Sequence, residues 1–439
     1  MRHRTHAVCW GIVALAFSLC FPGGQRSAGA GAPDRRQDVQ ALYAEYDLGF
    51  RDGLAYAAAA LGKDVIMLAP HSDRYTVPKK LRIQGTPYEF GRTLGLMANR
   101  ANYPLPLRAA SAAPIHQQIV DMYRRIYPQY LDTIKGVADA YGVPDDRLDM
   151  IEMEFRFFLG LYSRLLQYER FYALTDFETY GDDIPVDGCS LASYDNGRQH
   201  LVGRNFDNFS DRPHYFALAQ MEGCYRVIGH AVYDLYYWVA DGVNEKGLSI
   251  SQASNGEEYF WQDPYPYEPA VFSSKMARIV MDTCSTVDEA LRVIGSVRIW
   301  FPNQGLHWLI ADASGRSVIV EFDLNRNMVA LEKSGPYELA TNTALQKGED
   351  YVMQHCWRYR TAKPMLEAGV NSSDEMFNVM RAVRATSGAA RTLWTSVIDL
   401  RRLTYEIRYF KEYERRYALD FSPRVWFNTK PPSSSSTVP

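Results

Sequence analysis

One stretch of the chain carries residue types able to attack an amide. It reads Val186-Asp187-Gly188-Cys189-Ser190-Leu191 and leads to Gly203-Arg204-Asn205-Phe206-Asp207. A cysteine opens an extended run directly after a glycine, and an arginine and an aspartate follow fifteen and eighteen residues later. If the two runs pair as adjacent strands, Arg204 and Asp207 return to the start of the first, within reach of Cys189. Cleavage between Gly188 and Cys189 would then free an α-amine of pKa about 7.7–8, partly neutral at pH 7 and able to act as a base. A thiolate beside a guanidinium is a competent nucleophile, and no histidine is needed. By spacing alone, a buried structural cysteine explains Cys189 equally well.

Other chemistries lack their signatures. No G-x-S-x-G elbow, phosphate-binding loop, H-E-x-x-H or helix-opening G-x-G-x-x-G occurs. His307 lies inside an apolar strand pattern and reads as a core histidine. Cys224, Cys284 and Cys356 are far apart with no zinc-type spacing, so neither a metal nor a cofactor is expected. If one of the four cysteines beyond the leader is a free thiol, at least one more is unpaired, which favours a reactive cysteine over a disulfide framework.

The elements that must hold these residues fall into two textures. From about 40 to 180 the pattern is mostly helical, over Tyr43–Leu61, Ile115–Tyr141 and Ile151–Tyr172. From Asp187 onward short strands dominate. Cys189–Tyr194 and His200–Phe206 form a hairpin joined at Asn196-Gly197. Strands follow at 215–221, 225–231, 236–240 and 247–253, then helices over 270–297 with Ser285 or Thr286 as a cap. A strand–turn–strand spans 307–323 and another strand ends near Ala340. Helices at 347–367 and 373–385 precede strands at 392–400, 404–410 and 417–421. Runs of strands and runs of helices predict an α+β fold with a mainly antiparallel sheet.

The ends read differently. Arg2 and Arg4, the apolar run Ala7–Phe21 and Ala28-Gly29-Ala30 have the order of a cleaved export signal, although an uncleaved anchor explains the same run. The expected organisation is a signal peptide at 1–30, a helical prosegment at 31–188, a catalytic domain at 189–430 and a disordered tail at 431–439. The protein is thus expected outside the cytoplasmic membrane, periplasmic or extracellular. A net charge of −3 over 439 residues excludes the concentrated basic surface of a nucleic-acid binder, and 47% hydrophobic residues suffice for a large core.

The wording of several segments adds to this reading. GCSLASYDNGRQHLVGRNFDN resembles the N-terminal-nucleophile (Ntn) hydrolases that act on linear amides, the group of choloylglycine hydrolases, penicillin V acylases and acid ceramidase-like amidases. ADGVNEKGLSIS (240–251), GLHWLIADASGRSVIVE (305–321), ELATNTA (338–344) and RTLWTSVIDLRRLTYEIRYF (391–410) resemble the same family in the same order. Upstream, LRIQGTPYEFGRTLG (81–95) and LDTIKGVADAYGVPDDRL (131–148) are similar to the prosegment of the acyl-CoA:6-aminopenicillanate acyltransferase branch. The glycines of the first of these, Gly85, Gly91 and Gly95, read as turn and helix-packing positions.

The resemblance implies a four-layer αββα sandwich, a self-cleaved chain whose pieces stay associated, and a site assembled from scattered residues. Cys189 would be the nucleophile, Arg204 would steady its thiolate, and Asp207 would orient the new α-amine. Asn342 would help bind that amine and the tetrahedral intermediate. Asn255 is the oxyanion candidate, one residue beyond the family spacing. The late family arginine falls on Arg358 or Arg360, with Arg358 preferred. Asn208 stands where the family commonly has an aromatic, which implies a differently shaped acyl pocket.

Three functions remain open on these grounds: an exported amidase for a small N-acyl amide, an acyltransferase using the same thioester chemistry, and a non-catalytic binding protein. The loop NGEEYFWQDPYPYEP (255–269) is either a surface loop or a wall for an apolar acyl group. A homo-oligomer is compatible with the sequence.

Overall fold

The computed structural model describes most of residues 79–153 and most of residues 189–422. The expected signal peptide, the expected helices at Tyr43–Leu61 and Ile151–Tyr172 (Met153 aside), Gly188 before the expected cut, most of the aromatic loop after Asn255 and the polar tail lie outside the described residues.

Among the described residues before Cys189 are one strand and three helices: β1 Lys79–Gly85, α1 Pro87–Arg100, α2 Ala113–Ile126 and α3 Pro128–Tyr141. The expected helix over 115–141 is therefore two. Tyr127 leaves helical geometry (φ −158°, ψ 71°) because it precedes Pro128, whose ring disfavours the α conformation of its predecessor. Helices α1 and α3 approach backbone to backbone. A methyl at Gly91 would lie 1.9 Å from the Thr133 carbonyl oxygen, and one at Gly136 would lie 2.1 Å from that of Tyr88. The glycines are there for packing.

From Cys189 the strands are β2 Ser190–Asp195, β3 His200–Phe209, β4 His214–Met221, β5 Val227–Val232, β6 Val239–Asn244 and β7 Ser249–Ser254. Then come β8 Ala270–Phe272, helices α4 Ser273–Thr283 and α5 Val287–Gly295, and strands β9 Arg298–Trp300, β10 Leu306–Ala311, β11 Ser317–Phe322, β12 Met328–Glu332 and β13 Tyr337–Ala340. The chain closes with α6 Glu349–His355, α7 Trp357–Glu367, α8 Ser373–Ala382, β14 Ala390–Asp399, β15 Thr404–Tyr409 and β16 Tyr417–Asp420. Thr286 caps α5 by accepting the Glu289 amide. The expected helix over 347–367 breaks at Cys356, which is extended (φ −125°, ψ 108°) and accepts a hydrogen bond from the Thr341 hydroxyl on its sulfur.

Eight strands form one sheet in the order β1-β4-β5-β6-β7-β10-β11-β12, and six form another, β13-β2-β3-β14-β15-β16. Every pairing in the two sheets is antiparallel except β1 with β4. Alternation along single strands defines the layers. Trp308 and Ile310 point into a core with α4, α5 and the prosegment helices, whereas Leu309 and Ala311 point into a second core shared by the two sheets. A third core lies between the six-stranded sheet and α6–α8, with Ala192, Leu201 and Val397 on the sheet side. The result is the expected α+β sandwich of two antiparallel sheets between helices. The described elements before Cys189 are built into it. Strand β1 is an edge of the eight-stranded sheet, and Tyr123, Tyr127, Tyr130 and Val137 belong to the same core as Val280 of α4.

Candidate active site

The hairpin β2–β3 builds the site. Its turn is set by Asn196, whose side-chain oxygen accepts the amides of Arg198 and Gln199, and by Gly197 at φ +81°, a conformation glycine adopts without strain. The resulting register pairs Leu191 with Arg204 and Ser190 with Asn205. Cys189, two residues before Leu191, thus shares a sheet face with Arg204.

The Arg204 guanidinium is fully buried, and its Nη2 lies 3.7 Å from the Cys189 sulfur. Its other contacts hold it there. Nη2 and Nε donate to the Gln252 carbonyl at 2.8 and 3.3 Å, and Nη1 faces Asp241 Oδ2 at 3.4 Å. Its flat face stacks on Phe206 at 4.5 Å and Trp394 at 5.5 Å, as a guanidinium does on aromatic rings. Asp241 in turn accepts from Trp394 Nε1 (3.2 Å), the Ser396 hydroxyl (2.9 Å) and the Tyr405 hydroxyl.

On the other side of Cys189 stands Arg358, near the start of α7. Nη1 donates to the Cys189 carbonyl at 2.8 Å and to Asp207 Oδ2 at 3.2 Å, and Nη2 donates to Asn342 Oδ1 at 2.8 Å. Asn342 Nδ2 donates to the Ser254 carbonyl at 2.6 Å, which ties it to the residue before Asn255. Asn255 is buried at the end of β7, its amide donating to the Gly305 carbonyl at 3.1 Å. Cys189, Arg204, Asp207, Arg358 and Asn342 are thus linked by direct contacts, and Asn255 adjoins them through Ser254. Arg360 is elsewhere: it is exposed and donates to the Met353 carbonyl at 2.9 Å.

Burial pushes the Cys189 thiol above its ordinary range, and the charge of Asp207 acts the same way. Arg204, Arg358 and the Asp207 backbone N–H pull it back only in part. His307 pairs with Glu321, Nδ1 to Oε1 at 2.8 Å, inside the sheet. Burial raises the Glu321 carboxyl, but His307 and the amides of Leu345 and Gln346 outweigh it and hold the group low. This buried pair anchors the segment after Asn342. Among the described residues no group of His, Cys, Asp and Glu could hold a metal ion, and all four described cysteines are free.

Residues 189–343 match a family described as linear amide C-N hydrolases, choloylglycine hydrolase family. The match begins at Cys189 itself. Among solved structures, a mutant of the conjugated bile acid hydrolase from Clostridium perfringens is similar at 18% identity and TM-score 0.41, over 53% of this chain and 92% of that one. Penicillin V acylase from Agrobacterium tumefaciens is similar at 20% identity and TM-score 0.42, over 53% of this chain and 86% of that one. No curated protein matches.

Sequence reasoning missed the residues that hold Arg204. Gln252 acts through its backbone carbonyl, which any residue would supply, so it left no signal in the sequence; Asp241 is a carboxylate in a strand, and a buried one needs partners.

Proposed function

We propose that this protein is a hydrolase of linear amide C–N bonds that is exported, cuts itself between Gly188 and Cys189, and works through a thioester on Cys189. The α-amine freed by the cut takes the thiol proton, and the thiolate attacks the carbonyl carbon of an N-acyl substrate. As the C–N bond breaks, the departing amine takes a proton from the α-ammonium. Water, deprotonated by the same α-amine, then attacks the thioester and releases the acid. Arg204 steadies the thiolate, Asp207 orients the amine, and Arg358 holds Asp207 and Asn342 in register. Asn255 and Asn342 are proposed to stabilise the tetrahedral intermediate, where one donor is typically worth about 10²–10³ in rate.

The observation that carries this reading is the convergence on Cys189, the residue just before β2, of Arg204 and the Asp207 amide at its thiol and of Arg358 at its carbonyl. Association of the two pieces after the cut is supported by β1 in the sheet and by the shared core of α2, α3 and α4. Export rests on the leader sequence alone.

The test is a panel of N-acyl amino acids, bile-acid conjugates, penicillins and N-acylethanolamines, with intact-mass analysis of the quenched protein. Amine release together with an acyl adduct on Cys189 is expected, and hydroxylamine as added acceptor distinguishes hydrolysis from transfer. Turnover that persists in Cys189→Ala would refute the mechanism.

A further inference from the structure

Strand β14 is irregular where it passes β3. Thr392 pairs with Asp207 and Trp394 with Phe206, so Leu393 is an extra residue. Bulges of this kind re-aim side chains and are over-represented next to active sites. Here the fully buried Thr392 hydroxyl donates to Asp207 Oδ1 at 2.5 Å, while its oxygen accepts the Ala385 amide at 2.9 Å. The Thr392 amide in turn donates to the Ala385 carbonyl at 3.0 Å. A hydroxyl has one proton, and with the Ala385 N–H occupying its oxygen that proton is committed to Asp207.

We propose that Thr392 is a positioning residue for the reaction, held by the β14 bulge so that its hydroxyl fixes the Asp207 carboxylate toward the Cys189 amine. This rests on the reading of Cys189 as an N-terminal nucleophile. Asp207 then has both oxygens engaged, Oδ1 by Thr392 and Oδ2 by Arg358, which sets the plane of the carboxylate. The charged groups around the Cys189 thiol are Arg204 from β3, Arg358 from α7 and Asp207 itself. Removing the Thr392 proton would leave Asp207 a less satisfied anion. Both neighbouring protonated forms, the Cys189 thiol and the α-ammonium, would gain from that, so each would give up its proton at higher pH.

Thr392→Val keeps the shape of the side chain and removes the hydroxyl; Thr392→Ser keeps the hydroxyl. Two readouts need no substrate: the rate of self-cleavage of newly made chain, and the pH midpoint for alkylation of Cys189 by iodoacetamide, followed by peptide mass. Thr392→Val should slow cleavage about tenfold, the scale of one hydrogen bond to a charged group, and raise the alkylation midpoint by about half a unit. Thr392→Ser should restore both. If Thr392→Val yields no folded protein, Thr392→Ala replaces it with the same expectation. A wild-type midpoint in the variant lacking the hydroxyl, or failure of Thr392→Ser to restore it, would overturn the proposal. An uncut wild-type chain would instead refute the N-terminal nucleophile, and the alkylation midpoint would still report on Thr392.

Discussion

Two buried arginine–aspartate pairs stand on the two faces of the eight-stranded sheet. Arg204 and Asp241 lie between the sheets, 3.4 Å apart. Arg278 and Asp282 lie on α4, 3.2 Å apart, facing the prosegment helices. Both are almost fully shielded from solvent, and each has a cysteine close by. What surrounds them differs. Arg204 reaches the sulfur of Cys189, whose carbonyl accepts from a second arginine, Arg358. Arg278 lies over the rings of Phe90 and Tyr127, and Asp282 accepts the Tyr127 hydroxyl. Beside it Lys275 sits 3.2 Å from the centroid of the Tyr130 ring. Burial and the charge of Asp282 drive the Cys224 thiol far up. A buried ion pair is therefore not in itself a site. One pair aims a cation at the Cys189 thiol; the other fastens α2 and α3 to α4.

The sharpest way to break this contrast is at the two thiols. Cys189→Ala should abolish turnover, a loss of at least about 10⁴-fold on the scale of removed nucleophiles, while Cys224→Ala retains turnover per folded molecule. Steady-state assays on purified protein check both, and an active Cys189→Ala would remove the distinction.

Next in size are the carboxylates. Removing one partner of a buried pair leaves an uncompensated charge and costs about 3–5 kcal/mol, so both Asp241→Asn and Asp282→Asn should unfold at lower denaturant. Only Asp241→Asn should also lower kcat of the folded fraction, by roughly tenfold or more, because Arg204 loses its anchor. In Asp282→Asn the folded fraction keeps its kcat, and the prosegment should separate more readily on size exclusion.

A smaller effect comes from a buried carboxyl that has no arginine. Burial pushes Glu338 up to about 8, against the opposing pull of Lys333. Unfolded, the group ionises near 4.5. Its contribution to stability is full below about 4.5, declines as the unfolded chain releases a proton the folded chain keeps, and levels off above about 8. The slope in that window is at most ~1.4 kcal/mol per pH unit. Glu338→Gln should flatten it, as measured by urea unfolding across pH 4 to 9; an unchanged slope would show that Glu338 ionises normally.

Local signals were legible where local physics decides. The Asn196-Gly197 turn set the hairpin, Thr286 marked a cap, and alternation in 307–323 gave two strands of the eight-stranded sheet. Strand β1 was not legible, because its alternation rests on two apolar residues, Leu81 and Ile83, in a region of helical texture, and it is fixed by pairing with β4, far along the chain. The split at Cys356 depends on a contact with Thr341, and it is this break that starts α7 just before Arg358. Nothing in CWRYRTA distinguishes Arg358 from Arg360; only the fold turns one toward Cys189 and the other toward solvent. Asp241 and Thr392 escaped notice for the same reason, since their partners come from distant strands.

The nitrogen of Cys189 cannot act as a base while it is part of a peptide bond. N-terminal sequencing of the denatured wild-type protein, beside Cys189→Ala, is the most direct test. Two pieces are expected for the wild type, one of them beginning Cys-Ser-Leu-Ala and running from 189 to 439, and a single chain for the variant. An active wild-type protein whose chain is uncut at Gly188–Cys189 would contradict the α-amine as the base.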